Sequence, residues 1–158
     1  MNTLIIFGAK YLFVLSPLLV AWFFYKASRE SRKKVIIFTL ITLPLAFIIA
    51  VTARHFYFNP RPFVVLGFEP LISHTPDNGF PSDHVLLLGT LASIMLFFNR
   101  KWSIPLWIIT LLVGISRVYA GVHHVVDIGG SILIALLSAT YAYAIIHKPW
   151  KTNNQTSF

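Results

Sequence analysis

The chain has 158 residues, 56% of them hydrophobic and only 11% charged, with a formal net charge of +8. Soluble domains carry about 25% charged residues, so this surface is too apolar for water, and soluble globular and disordered classes are excluded. With a mean hydropathy of +0.73, the composition is that of an integral membrane protein, read as one domain over residues 1–158.

Five apolar runs follow in chain order: residues 4–25, 35–53, 84–99, 102–119 and 126–147. Each approaches the ~20 residues that a helix needs to cross the hydrocarbon core, the third being short. They predict an all-α membrane protein with about five transmembrane helices in a bundle. Pro17, Pro44 and Pro105 fall inside runs, which membrane helices tolerate where neighbours satisfy the freed carbonyls. The polar tail 151–158 is expected to fray. No basic n-region followed by a small-residue cleavage site opens the chain, so no cleaved signal peptide is expected.

The cations sort by position. Lys26, Arg29, Arg32, Lys33 and Lys34 fill the first connection, Arg100 and Lys101 the third, and Lys148 and Lys151 the C-terminal end. Five spans place all three on one face, which the positive-inside rule makes cytoplasmic, with the N-terminus outside. Lys10 reads as a lysine snorkelling to the outer interface. No basic helix or stacking platform stands clear of an apolar run, so no nucleic-acid partner is expected. Cysteine is absent, which removes disulfides, thiolate metal sites and cysteine nucleophiles.

Arg54, Arg61 and Arg117 break the charge rule, because all fall on the predicted outer side. The connection there, residues 54–83, is the longest, and its Phe and Leu content predicts an interfacial segment. Three blocks of chemistry lie on this side. Arg54 and Arg61-Pro62 offer planar guanidiniums that bind two phosphate oxygens at once; alone, they also suit lipid headgroups. Pro81-Ser82-Asp83-His84 reads as a helix start whose free N–H groups and dipole favour an anion, with a Ser hydroxyl and a titratable His alongside. Alone, it is also plain capping. Ser116-Arg117, His123 and Asp127 form the third block. In a helix, His123 and Asp127 share a face, and the carboxylate would fix the tautomer that leaves the other ring nitrogen free to act as nucleophile or base. The third pattern arises by chance in about one chain in a few thousand at this composition. All three blocks together, in this order and on one face, are far rarer.

Arg54-x6-Arg61-Pro62, Pro81-Ser82-Asp83-His84 and Ser116-Arg117-x5-His123-x3-Asp127 together resemble the three signatures of the type 2 phosphatidic acid phosphatase superfamily. Two departures stand out. Arg54 takes the place of the usual Lys, and Asp83 that of the usual Gly. The Pro-Ser-Asp-His form is similar to the bacitracin-resistance-type undecaprenyl-diphosphate phosphatases. The resemblance implies hydrolysis through a phosphohistidine. His123 would attack phosphorus, oriented by Asp127, and His84 would protonate the leaving oxygen and then activate water. Arg54, Arg61, Ser82 and Arg117 would hold the phosphoryl oxygens.

Phosphoryl transfer mainly requires positioning and charge compensation, which three arginines and a helix N-terminus supply. No carboxylate cluster is evident, with Glu69 and Asp77 standing apart, so metal-independent catalysis without a cofactor is expected. Asp83 is expected to point away from phosphate and bond backbone or His84, and Ser116 to support the site from behind. His124, at i,i+3 to Asp127, is a rival nucleophile on geometry; spacing to Arg117 and the family pattern favour His123. His55 and His74 read as interfacial or loop residues, His147 as lying on the wrong face, and Tyr119 as aromatic belt.

A site at the outer membrane–water boundary suits a lipid whose tail stays in the bilayer. The expected substrate is undecaprenyl diphosphate, converted to the monophosphate for carrier-lipid recycling. The alternatives are another lipid phosphate (phosphatidylglycerophosphate, phosphatidic acid or lipid A), a non-catalytic phospholipid-binding or transport component, and a vanadate haloperoxidase.

Overall fold

The structure, a computed structural model, describes residues 1–146. His147, Lys148, Lys151 and the tail 151–158 therefore lie outside the described residues. Seven α-helices account for most of the rest: α1 (Asn2–Lys10), α2 (Leu15–Lys26), α3 (Arg29–Phe56), α4 (Pro62–Leu66), α5 (Asp83–Phe98), α6 (Arg100–Tyr119) and α7 (Val125–Ile146). No strand occurs among the described residues.

The sharp turns at the cationic end have local causes. Ser28 caps α3 by accepting from the Ser31 N–H at 3.2 Å, and Arg32 donates back to the carbonyls of Ala27 and Tyr25 at the end of α2. Asn99 caps α6 through the Lys101 N–H at 3.1 Å. Each cap satisfies backbone groups that a helix end leaves without partners. Lys26, Arg29, Arg32, Lys33, Lys34, Arg100 and Lys101 thus gather at one end of the bundle, as their spacing predicts.

α5 is the central helix, packed against α3, α6 and α7. Nine of its sixteen residues are buried, from Val85 to Met95, so it is apolar all round, as a surrounded helix must be. Thr90 of α5 donates to the Leu86 carbonyl, and Ser103 of α6 donates to the Ala92 carbonyl across the helix pair, whereas Ser93 Oγ is buried without a partner. The opposite faces of α3, α6 and α7 expose Leu40, Phe47, Ile104, Ile108, Leu133 and Leu137. Such a belt is untenable in water and suits lipid.

The five apolar runs all become helical, with two refinements. The first run is broken. Tyr11 and a 3-10 turn, Leu12–Val14, separate α1 from α2, and the two helices meet at 41°. Pro17 explains the break, because its ring would clash with the Phe13 carbonyl of a continuous helix. Instead it sits in the first turn of α2, where Pro is tolerated. Three helices, α3, α6 and α7, are each long and apolar enough to span, or four spans if the bent pair counts as one. α5, with 16 residues, is ~24 Å long at 1.5 Å per residue, shorter than the ~30 Å hydrocarbon core.

At the end opposite the cations, residues 57–82 fold over the bundle. Leu71, Ile72 and Phe63 pack with Ile5 of α1 against Ala9, Ala120 and Val122. The segment is pinned by the Leu71 N–H to Ala120 carbonyl and the Phe63 N–H to Gly121 carbonyl hydrogen bonds. Val64, Val65 and Leu66 of α4 face outward, the apolar face expected of an interfacial segment.

Candidate active site

Arg54, Arg61, Ser82, Asp83, His84, Arg117, His123 and Asp127 lie in one cluster at this end or at its rim. Arg117 comes from the last turn of α6 and Asp127 from the first turn of α7. Between them Gly121, at φ +80°, turns the chain back through a conformation that side chains disfavour. α6 and α7 approach closely at Gly114, where a Cβ would meet Ile128 at 2.8 Å. The short turn delivers His123 to the bundle axis, 3% exposed, beside the fully buried Asp127.

His123 does not lie in the helix, so its pairing with Asp127 is not the helical i,i+4 contact that spacing suggests. Asp127 reaches back from the first turn of α7 and accepts from the His124 N–H at 2.8 Å, with His123 Nδ1 at 3.3 Å. Asn59 donates to the other carboxylate oxygen at 2.7 Å. With Asp127 accepting from Nδ1–H, His123 Nε2 carries the lone pair, and it lies 3.4 Å from Arg61 Nη1. Burial, together with Arg117 and Arg61, pushes the His123 imidazole below its ordinary value, although Asp127 opposes the shift. The ring is therefore neutral near pH 7, as a nitrogen nucleophile must be.

The rival, His124, turns elsewhere: its Nε2 bonds the Pro60 carbonyl at 3.0 Å. The His123 ring, by contrast, faces Asp127 and Arg61.

Arg61 precedes α4 and is 5% exposed. It donates to the Val122 carbonyl at 2.8 Å and to Asp77 at 2.7 Å. Burial would raise the Asp77 carboxyl, but hydrogen bonds from Arg61 and Thr75 hold it below its ordinary value. Arg117, 3% exposed, donates to the Ala9 carbonyl at 3.1 Å and bonds His74 Nε2 at 3.2 Å. Its Nε is buried without a partner.

Ser82 occupies the cap position of α5, yet its side chain makes no capping bond. The backbone is fixed instead, with its carbonyl accepting from Ser131 at 3.0 Å. Its Oγ is buried and unpartnered, like Arg117 Nε. His84, one residue into α5, stacks edge-on against Phe13 at 5.2 Å, with Arg117 and His123 in electrostatic reach. Arg54 ends α3 at the rim, and its Nη2 donates to Asp83 at 2.6 Å.

Three expectations need correction. Asp83 pairs with Arg54 rather than with backbone or His84. Asp77 does not stand apart but holds Arg61. Ser116 faces α1, where a methyl on Gly8 would collide with its hydroxyl, so it sets the approach of α1 rather than supporting the phosphate groups. His74, read as a loop residue, belongs to the cluster, with its ring 6.1 Å from that of His123. His55 and Tyr119 are exposed, as expected of interfacial residues. Asn59 and the Ala9 carbonyl had no sequence signal, since neither lies in a recognisable spacing.

The buried Arg61 and Arg117 guanidiniums and the buried Ser82 hydroxyl thus lie at the same end as the His123 imidazole, a donor set suited to an anion. A sequence profile described as the PAP2 superfamily matches residues 35–151. Undecaprenyl-diphosphatase BcrC of Bacillus subtilis (strain 168) is 35% identical over 137 residues, 87% of this chain and 70% of that protein. A Bacillus licheniformis protein named Bacitracin transport permease protein BcrC is 29% identical over 147 residues, 90% of this chain and 70% of that one. The crystal structure of Aquifex aeolicus LpxE shares the fold at a TM-score of 0.67 and 24% identity, covering 89% of this chain and 81% of that one. With the profile spanning most of its length and its signature residues gathered at one end of a helical bundle, this chain belongs to the PAP2 superfamily.

Proposed function

We propose that this protein hydrolyses undecaprenyl diphosphate to undecaprenyl phosphate and inorganic phosphate at the outer face of the cell membrane. Family membership and the 35% identical undecaprenyl-diphosphatase make it a lipid phosphatase; the particular lipid and leaflet are the proposed part. One observation carries the reading. Three buried polar atoms of the cluster that presents His123 Nε2, namely Ser82 Oγ, Arg117 Nε and His74 Nδ1, have no partner in the protein. Buried donors are costly unless bonded, and a phosphoryl group can accept from the Ser82 hydroxyl and Arg117 Nε.

In the proposed reaction, His123 Nε2 attacks the terminal phosphorus and the bond to the bridging oxygen breaks. His84 gives its proton to the departing undecaprenyl phosphate, and Asp127 stabilises the charge on His123. His84 then takes a proton from water, whose oxygen attacks phosphorus, breaks the P–N bond and releases phosphate. Charge on the equatorial oxygens is met by Arg61, Arg117 and the Arg54 at the rim, preorganised by their hydrogen bonds. These guanidiniums supply the compensation that a metal ion supplies elsewhere, so the proposed chemistry is metal-independent. The cationic opposite end supports an outward-facing site through the positive-inside rule. Consuming undecaprenyl diphosphate recycles the carrier lipid for cell-wall synthesis and competes with bacitracin.

The test is phosphate release by purified protein in detergent from a panel of lipid diphosphates and monophosphates, with and without EDTA. Preference for undecaprenyl diphosphate, unaffected by chelation, is expected. Equal rates on all lipids would defeat the substrate assignment, and loss of activity restored only by Mg²⁺ would defeat the metal-free mechanism.

A further inference from the structure

Among the three arginines, Arg117 is held differently. Arg54 and Arg61 each donate to a carboxylate, Asp83 and Asp77. The Arg117 hydrogen bonds go to neutral acceptors: the Ala9 carbonyl, 108 residues away in sequence, and His74 Nε2, 43 residues away. Ala9 lies in the last turn of α1, just before the break at Tyr11, where helix carbonyls are free and the dipole is negative. Two neutral groups from two separate elements thus fix the guanidinium without cancelling its charge.

We propose that His74 is a positioning residue that aims Arg117 at the phosphoryl group. The inference rests on the reading that Arg117 binds that group. Arginine only donates, so His74 must accept through Nε2, which places its proton on Nδ1. A proton on Nε2 would replace the acceptor with a donor and set like charges against each other. The surroundings oppose that protonation. Burial and the charges of Arg61 and Arg117, with His123 beyond, push the His74 imidazole below its ordinary value, and Asp77 alone favours the charged form. A carboxylate at this position would hold Arg117 as firmly but would compete with phosphate for its charge. A neutral imidazole avoids that competition.

The experiment measures phosphate release from undecaprenyl diphosphate by the purified full chain in detergent, between about pH 5 and 8, where imidazoles titrate. It compares the wild type with His74→Ala, His74→Gln and Arg117→Ala. His74→Ala is expected to lower kcat by about ten- to a hundred-fold, the scale of a small misplacement of a catalytic group. His74→Gln, which keeps an acceptor near the Nε2 position, should recover most of that loss, and its acid limb should titrate with one proton fewer than the wild type. A wild-type rate and pH profile in His74→Ala, beside an inactive Arg117→Ala, would overturn the inference and leave the reading of Arg117 intact. Full activity in Arg117→Ala would overturn both. Should His74→Ala fail to fold, an unaltered acid limb in His74→Gln would by itself overturn the inference.

Discussion

Arg54 Nη2 donates to Asp83 Oδ1 at 2.6 Å, joining the end of α3 to the start of α5. The pair is half-open to solvent, with side-chain exposures of 38% and 74%, so it adds little to stability. Its importance is electrostatic. A carboxylate at a helix N-terminus stabilises the helix, yet here it also occupies the arginine that we propose meets the incoming phosphate. Asp83→Gly is therefore expected to leave an active enzyme with a lower KM for the lipid diphosphate, measured by steady-state phosphate release. An inactive Asp83→Gly would show that the carboxylate serves the reaction itself.

His123 and His124 are adjacent but face different partners, Asp127 with Arg61 for the first and Pro60 for the second. His123→Ala should lose activity by a factor of about a thousand or more, as expected when a unit of nucleophile and orienting carboxylate is broken. His124→Ala removes one loop contact and should cost about ten-fold or less on the same scale. The reverse order in parallel assays would transfer the nucleophile's role to His124.

The pH response follows from the lowered His123 imidazole. Its neutral form is the reactive one, so on the acid side the rate should fall as pH drops through the lowered value. Stability has the same sign. Below about pH 6.5 an unfolded histidine binds a proton that the folded one refuses. Stability therefore declines as pH falls through the window between the ordinary and the lowered values, and histidine titration contributes no such loss above it. Thermal melts and kcat profiles across this range check both statements.

Asn59 was invisible as a site residue, yet it donates to Asp127 at 2.7 Å, and the Asn59 carbonyl accepts from the Gly79 N–H at 2.9 Å. Removing the amide leaves a buried carboxylate oxygen short of a donor and frees the carboxylate to rotate. Asn59→Ala should reduce kcat by about ten- to a hundred-fold, a typical cost of losing an orienting partner. Asn59→Asp, which sets a second carboxylate against Asp127, should be worse. Equal activity in all three proteins would remove Asn59 from the site.

The sequence made legible whatever depends on local pattern. Apolar length marked each helical run, cations marked one end, and the spacing of Arg61, Ser82, Arg117 and His123 marked residues that the bundle brings to the other. Legibility failed where contacts depend on how the outer segment folds back. His74 and Asp77 reach their arginines only because Leu71 and Phe63 are pinned to the Ala120–Gly121 turn, and no periodicity encodes that. The break at Tyr11 was masked because Pro17 in an apolar run reads equally as a tolerated kink or as the start of a new helix. Asp83 was misjudged because its partner, Arg54, lies 29 residues away in sequence.

The central claim is that His123 takes the phosphoryl group from the lipid diphosphate. Its most direct test is rapid reaction with undecaprenyl diphosphate labelled at the terminal phosphate, quenched in alkali to preserve a P–N bond, followed by mapping of the labelled peptide. Label on His123, absent from His123→Ala and retained in His124→Ala, is the predicted result. Label on another residue, or phosphate release by His123→Ala at the wild-type rate, would contradict the account.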